Sequence, residues 1–115
     1  MQRTDGLWYW AEYSTFSITD EVGKYQLTVD GYSGDAGNAM MTGYHATWVS
    51  NGRMFTTVDD DNDAWVEGNC AQSTSGGWWY RECSSTLING DEYGMWQVND
   101  EVDDVQTSTM LVKLN

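Results

Sequence analysis

The sequence predicts one turn-rich domain of short strands packed through aromatic side chains, with few helical stretches. Three observations carry that expectation. Twelve glycines and no proline in 115 residues give the backbone freedom for many tight turns. Seven Trp and seven Tyr supply large packing surfaces with polar tips. Apolar residues alternate over short stretches, and none forms a run long enough to cross a membrane. The length suits a single domain able to bury a core.

Taken in order, residues 1–7 read as a loose lead-in. Trp8 to Ile18, aromatic and β-branched with partial alternation, predicts a strand broken near Ser14. Thr19 to Gly23 is a polar turn. Tyr25 to Val29 alternates cleanly, with Tyr25, Leu27 and Val29 on one face, and predicts a second strand that pairs with the first as a hairpin. Gly31 to Asn38 reads as loop because Gly34 and Gly37 invite positive φ. It is no phosphate cradle, since no P-loop lysine follows and the overall charge is wrong. Ala39 to Trp48 holds either a short helix or irregular chain. Asn51-Gly52 marks a turn, and Met54 to Val58 predicts a strand leading into an acidic run. Gly76-Gly77 allows close backbone approach before Trp78, Trp79 and Tyr80, at least two of which are expected in the core. Leu87 to Gly90 reads as an apolar anchor and turn. Thr107 to Leu114, with Met110, Val112 and Leu114 on one face, predicts a closing strand.

Five basic and eighteen acidic residues give a formal charge of −13. Neither phosphates nor acidic lipids attract such a surface, which argues against nucleic-acid and anionic-membrane partners. The scattered Asp91, Glu92, Asp100, Glu101, Asp103 and Asp104 read as solubilising surface. The first nineteen residues lack the apolar core of a signal peptide. With a single histidine, His45, and no CxxC pair, zinc is disfavoured and no nucleophile–base–acid set assembles, so no enzymatic activity is expected. The two cysteines, Cys70 and Cys83, leave open a disulfide, two buried thiols or half of a metal site.

Asp59 to Asp63 concentrates four aspartates and one asparagine in five positions. Alternate carboxylates at Asp59, Asp61 and Asp63 can turn to one side of a tight loop, which suits a hard cation such as Ca²⁺. The EF-hand template fails, with Ala64 where it needs Gly and Cys70 where it needs Glu.

Several segments together resemble the fibrinogen C-terminal (fibrinogen-related) domain of ficolins, tachylectins, angiopoietins, tenascins and fibrinogen. They are AEYSTFSITDE from Ala11, YQLTVDGYSGDAGNAM from Tyr25, NGRMFTTVDDDND from Asn51, GNCA from Gly68 and GGWWYREC from Gly76, followed by Asn89-Gly90. They stand in the family's order at nearly its spacing, over roughly residues 8 to 96. The resemblance implies an α+β, β-rich domain with short antiparallel strands, few short helices and long irregular loops. Residues 8–58 would form the central sheet subdomain, 59–106 the calcium- and ligand-binding subdomain, and 107–115 the closing strand. The family's N-terminal subdomain, with its own disulfide, is expected to be missing, and Trp8, Tyr9 and Trp10 would patch that surface or form an interface.

The resemblance also implies a Ca²⁺ site, with the side chains of Asp61 and Asp63 and the carbonyls of Trp65 and Gly68 as ligands. Val66 stands as an insertion within that loop. A Cys70–Cys83 disulfide is implied, as is a cis peptide bond between Glu82 and Cys83. In the lectin branch the pocket beside that bond binds acetyl groups of N-acetylated sugars, which carries the ligand-binding role onto Glu82, Cys83, Ser84 and Tyr93. Two departures alter that pocket: Ser84 stands where the family often has His, and the loop between Tyr93 and Trp96 is short.

Three functions follow from the resemblance. The first is a secreted, calcium-binding lectin for acetylated glycans, of the kind used in innate immunity. The second is a protein–protein module docking a receptor or peptide, as in the angiopoietin and fibrinogen branches. The third is an adhesive matrix protein bridged by calcium, with homo-oligomers open to it. The lectin reading is the leading expectation.

Overall fold

The computed structural model describes residues 1–43, 45, 47–90, 94–98 and 101–114. Ten elements follow one another: β1 (Gln2–Arg3), β2 (Ala11–Ile18), β3 (Leu27–Gly34), α1 (Ala39–Thr42), β4 (Phe55–Thr56), α2 (Cys70–Thr74), β5 (Trp78–Trp79), β6 (Thr86–Leu87), β7 (Gly94–Val98) and β8 (Glu101–Thr107). They form three antiparallel sheets: four strands in the order β1-β8-β7-β6, the β2–β3 hairpin, and the β4–β5 pair. This is the β-rich α+β architecture that the sequence predicts.

The hairpin forms as expected, in register from Ala11↔Gly34 to Ile18↔Leu27. Its inner face buries Leu27 and Val29 completely or nearly so. Two details differ. β2 is continuous through Ser14, and β3 runs on through the glycine-rich stretch read as loop. The reason lies in close approach. A Cβ at Gly31 would stand 1.8 Å from Ser14 Oγ, and one at Gly34 would stand 2.2 Å from the Trp10 carbonyl oxygen. Both glycines have positive φ, +67° and +137°, so they serve the ladder rather than end it. Tyr25 falls outside the strand with φ +53°, in the turn that links the two strands.

The lead-in is also more ordered than expected. Gln2 and Arg3 pair with Thr107 and Val105, and Arg3 reaches Asp103 at 3.0 Å. The closing strand lies earlier than the alternation in Thr107–Leu114 suggests: Glu101–Thr107 pairs with β7, and residues 108–114 carry no regular structure. Pairing with β7 places Val105 in the core, whereas Leu111 and Leu114 are each 88% exposed. Met54–Val58 contributes a strand of two residues only, Phe55–Thr56. Helix α2 carries no strong sequence signal; Asn69 caps it by accepting from the Gln72 N–H at 3.1 Å.

Trp78, Trp79 and Tyr80 are all buried, so the whole trio belongs to the core. Trp79 meets Phe55, Phe16 and Trp78 edge-on at 5.1–6.3 Å, and its indole N–H donates to the Tyr25 carbonyl. Gly77 lets the Phe55 ring approach, since a Cβ there would meet it at 3.1 Å. Among the described residues no helix is long and apolar enough to cross a membrane.

Candidate functional site

The segment from β4 to β6 builds the site, and side-chain oxygens fold most of it. Asp63 organises the acidic run. One carboxylate oxygen accepts from the Trp65 N–H and the other from the Cys70 N–H, both at 2.8 Å. Asp61 accepts from the Asp63 N–H at 3.2 Å in a second turn of the same kind. Asn62 reaches back to the Phe55 carbonyl and Asn69 to that of Thr57, which ties the run to the strand before it. The outer carboxylates face away from this frame. Asp60 pairs with Lys24 at 3.1 Å, and the Thr57 hydroxyl holds the exposed Asp59 carboxyl below its usual range.

This loop suits calcium chemically. The implied ligands are all oxygens within one short loop, and each carboxylate oxygen that accepts one N–H retains a lone pair. The Trp65 carbonyl already turns back to accept from the Gly68 N–H at 3.3 Å. Val66, the inserted residue, is 98% exposed, so the extra length bulges into solvent. Among the described residues no three His, Cys, Asp or Glu side chains converge.

A Cys70–Cys83 disulfide joins the start of α2 to the turn after β5, and the Glu82–Cys83 peptide bond is cis. Of the residues placed in the ligand pocket by the family resemblance, Glu82 is exposed and Cys83 half-buried. Ser84 is buried and committed to the core. Its hydroxyl lies 3.1 Å from Ser50 Oγ and accepts from the Thr86 N–H, while Ser50 and Thr86 both accept from the Trp78 indole N–H. Tyr93 lies outside the described residues. His45, the one histidine, is exposed and bonds Thr47.

Two residues that sequence reasoning passed over stand beside the acidic loop. Arg53 and Arg81 line a pocket of about 170 Å³ together with Asn62, Asp63, Met54 and Tyr80. Their signal was present: two of the five basic residues flank the acidic run.

With this geometry in view, the chain matches, over residues 1–109, the family described as the C-terminal globular domain of fibrinogen beta and gamma chains. It belongs to that family. Fibrinogen beta chain of Gallus gallus is 39% identical over 94 residues, 72% of this chain and 20% of that protein. Angiopoietin-related protein 7 of Bos taurus is 37% identical over 105 residues, 91% of this chain and 28% of that protein. The chain therefore spans between a fifth and somewhat over a quarter of the length of these relatives. Among solved structures, the fibrinogen-like globe domain of human ANGPTL2 aligns with a TM-score of 0.69 at 39% identity, covering 81% of this chain and 39% of that one. Lamprey fibrin D-dimer, in complex with the peptide Gly-His-Arg-Pro-amide, aligns with a TM-score of 0.72 at 32% identity, covering 80% and 31%. The short antiparallel strands and few short helices are thus those of a fibrinogen-related domain.

Proposed function

We propose that this fibrinogen-related chain is an extracellular recognition module that binds a peptide or protein segment, with Ca²⁺ ordering the loop beside the binding face. One observation carries the reading: a lamprey fibrin of the same fold, similar over 80% of this chain, was solved with a tetrapeptide bound. Similarity to fibrinogen-like and angiopoietin-like proteins favours a peptide or protein ligand over an acetylated glycan. A residue that the glycan reading needs at the pocket wall spends its hydroxyl on Ser50 and Thr86. Calcium would be held by the carboxylates of Asp61 and Asp63 and the carbonyls of Trp65 and Gly68. Its charge would offset the repulsion among the neighbouring carboxylates.

Panning the folded chain in calcium against a random-peptide library and, in parallel, an array of N-acetylated glycans tests this proposal. Enriched peptides that compete with one another in solution are the expected result. Retention on the glycans, released by free N-acetylglucosamine and with no peptide enriched, would replace it with the lectin reading.

A further inference from the structure

The pocket beside the calcium loop has a charge pattern at odds with the rest of the chain. Eighteen acidic residues surround five basic ones, so an arginine without a carboxylate partner is unexpected here. Among the described residues the ion pairs are Arg3–Asp103 and Lys24–Asp60. Arg53 and Arg81 make neither an ion pair nor a side-chain hydrogen bond with any described residue, although both line one pocket next to the densest acidic run. Arg53 Nε is buried with no partner. Burying a guanidinium N–H without an acceptor is costly, so the side chain gains by shifting toward a ligand acceptor in the pocket.

The arginines are also held ready. The main chain of Arg53 donates to Ser50 and accepts from Leu27, and that of Arg81 donates to Cys83 and accepts from Ala64. The main chain at both positions is therefore fixed before a ligand arrives, which lowers the ordering cost of binding. Asp63, the acid in the pocket wall, has both oxygens engaged by main-chain N–H groups.

We infer that this pocket binds a carboxylate group of an acidic peptide, an inference that rests on the peptide-recognition reading above. Charge and size select the ligand. Two arginines give the wall positive charge, and a carboxylate is the anionic group that a peptide itself carries. A guanidinium fork matches the two oxygens of a carboxylate. A pocket of about 170 Å³ is too small for a drug-sized ligand but admits a carboxylate and its methylenes, which the 42%-exposed Met54 can contact. The wider negative field screens within ~8 Å at physiological salt, so it slows encounter more than it opposes the seated group.

The test is a titration of ¹⁵N-labelled protein with acetate against chloride at constant ionic strength, with calcium present, following the arginine Nε–H signals. Saturable shifts at Arg53 and Arg81 are expected, with affinity at least ~tenfold weaker in Arg53→Gln and in Arg81→Gln. Arg81→Lys keeps the charge and loses the fork, and should recover only part of the affinity. Unsaturable shifts, or shifts the same in the Gln variants, would overturn the inference. Full recovery in the Lys variant, or phosphate binding tighter than acetate, would overturn the carboxylate assignment. In the panning experiment, enriched peptides should carry Asp or Glu and lose binding to the Gln variants. Peptides that bind regardless of charge would defeat this inference and leave the parent reading standing. Acetate binding without any peptide binding would support the pocket and defeat the parent reading.

Discussion

The β2–β3 hairpin and the segment from Phe55 to Leu87 are held together by opposite means. The hairpin is a regular ladder of eight-residue strands, in register throughout. Only one of its faces is well covered: Leu27 and Val29 are buried, while Thr28 and Asp30, which alternate with them, are exposed. The other segment contains three two-residue strands and a five-residue helix. Yet it holds most of the core aromatics, and Asp63, Asn62 and Asn69 serve its main chain where a sheet would otherwise do so. Regular hydrogen bonding and depth of burial are therefore separate properties here. The irregular half is closed by local chemistry and one covalent bridge, and that half carries the proposed binding face.

Breaking the bridge should loosen one region and spare the other. Replacing both cysteines by alanine should cost about 3 kcal/mol, the chain-entropy value for a loop of this size. Hydrogen exchange should show protection lost over residues 59–83 and kept in β2 and β3. Equal loss in the hairpin would mean that the two regions unfold as one unit. Calcium should act on the same half with the opposite sign. At a concentration a hundredfold above its dissociation constant, it should stabilise by about 2.7 kcal/mol. That gain should disappear in the chain carrying both Asp61→Ala and Asp63→Ala. A melting temperature indifferent to calcium and EDTA in the wild type would remove the metal from the proposal.

Much of this fold was legible because its signals are local. Alternation in Tyr25–Val29 located the hairpin's inner face, Asn51-Gly52 located a turn, and the segments around Asp59–Cys83 identified the family. What escaped notice depends on partners distant in sequence. Gly31 and Gly34 looked like loop formers because their reason for being glycine, contact with Ser14 and Trp10, lies across the ladder. The strand Glu101–Thr107 was hidden by its charges, and the apolar alternation just after it pointed to residues that remain in solvent. Ser84 read as a ligand residue by position; its burial against Ser50 brings together residues 34 apart in the chain. Arg53 and Arg81 share the same difficulty, since neither is unusual until they line one pocket.

The smallest expected effect probes the hairpin, the half that the bridge and the calcium should leave alone. Tyr13 faces Tyr32 across the strands with ring centroids 5.6 Å apart. Its hydroxyl is buried without a well-formed hydrogen bond. Burial, only partly offset by the Met40 main chain, pushes its pKa up to about 12. Near neutral pH the hydroxyl is protonated in both folded and unfolded chains. Tyr13→Phe should then be neutral or stabilising by up to ~1 kcal/mol, because an unpaired polar atom leaves the interior. Above the unfolded value of about 10, the unfolded chain releases its proton while the folded chain keeps it. The wild type therefore loses stability as pH rises from about 10 to about 12, and the Phe variant is spared that share. Urea midpoints should diverge in favour of Tyr13→Phe over that window. Parallel curves would show that the hydroxyl finds a partner in solution, and the hairpin would then be as fully satisfied as the irregular half.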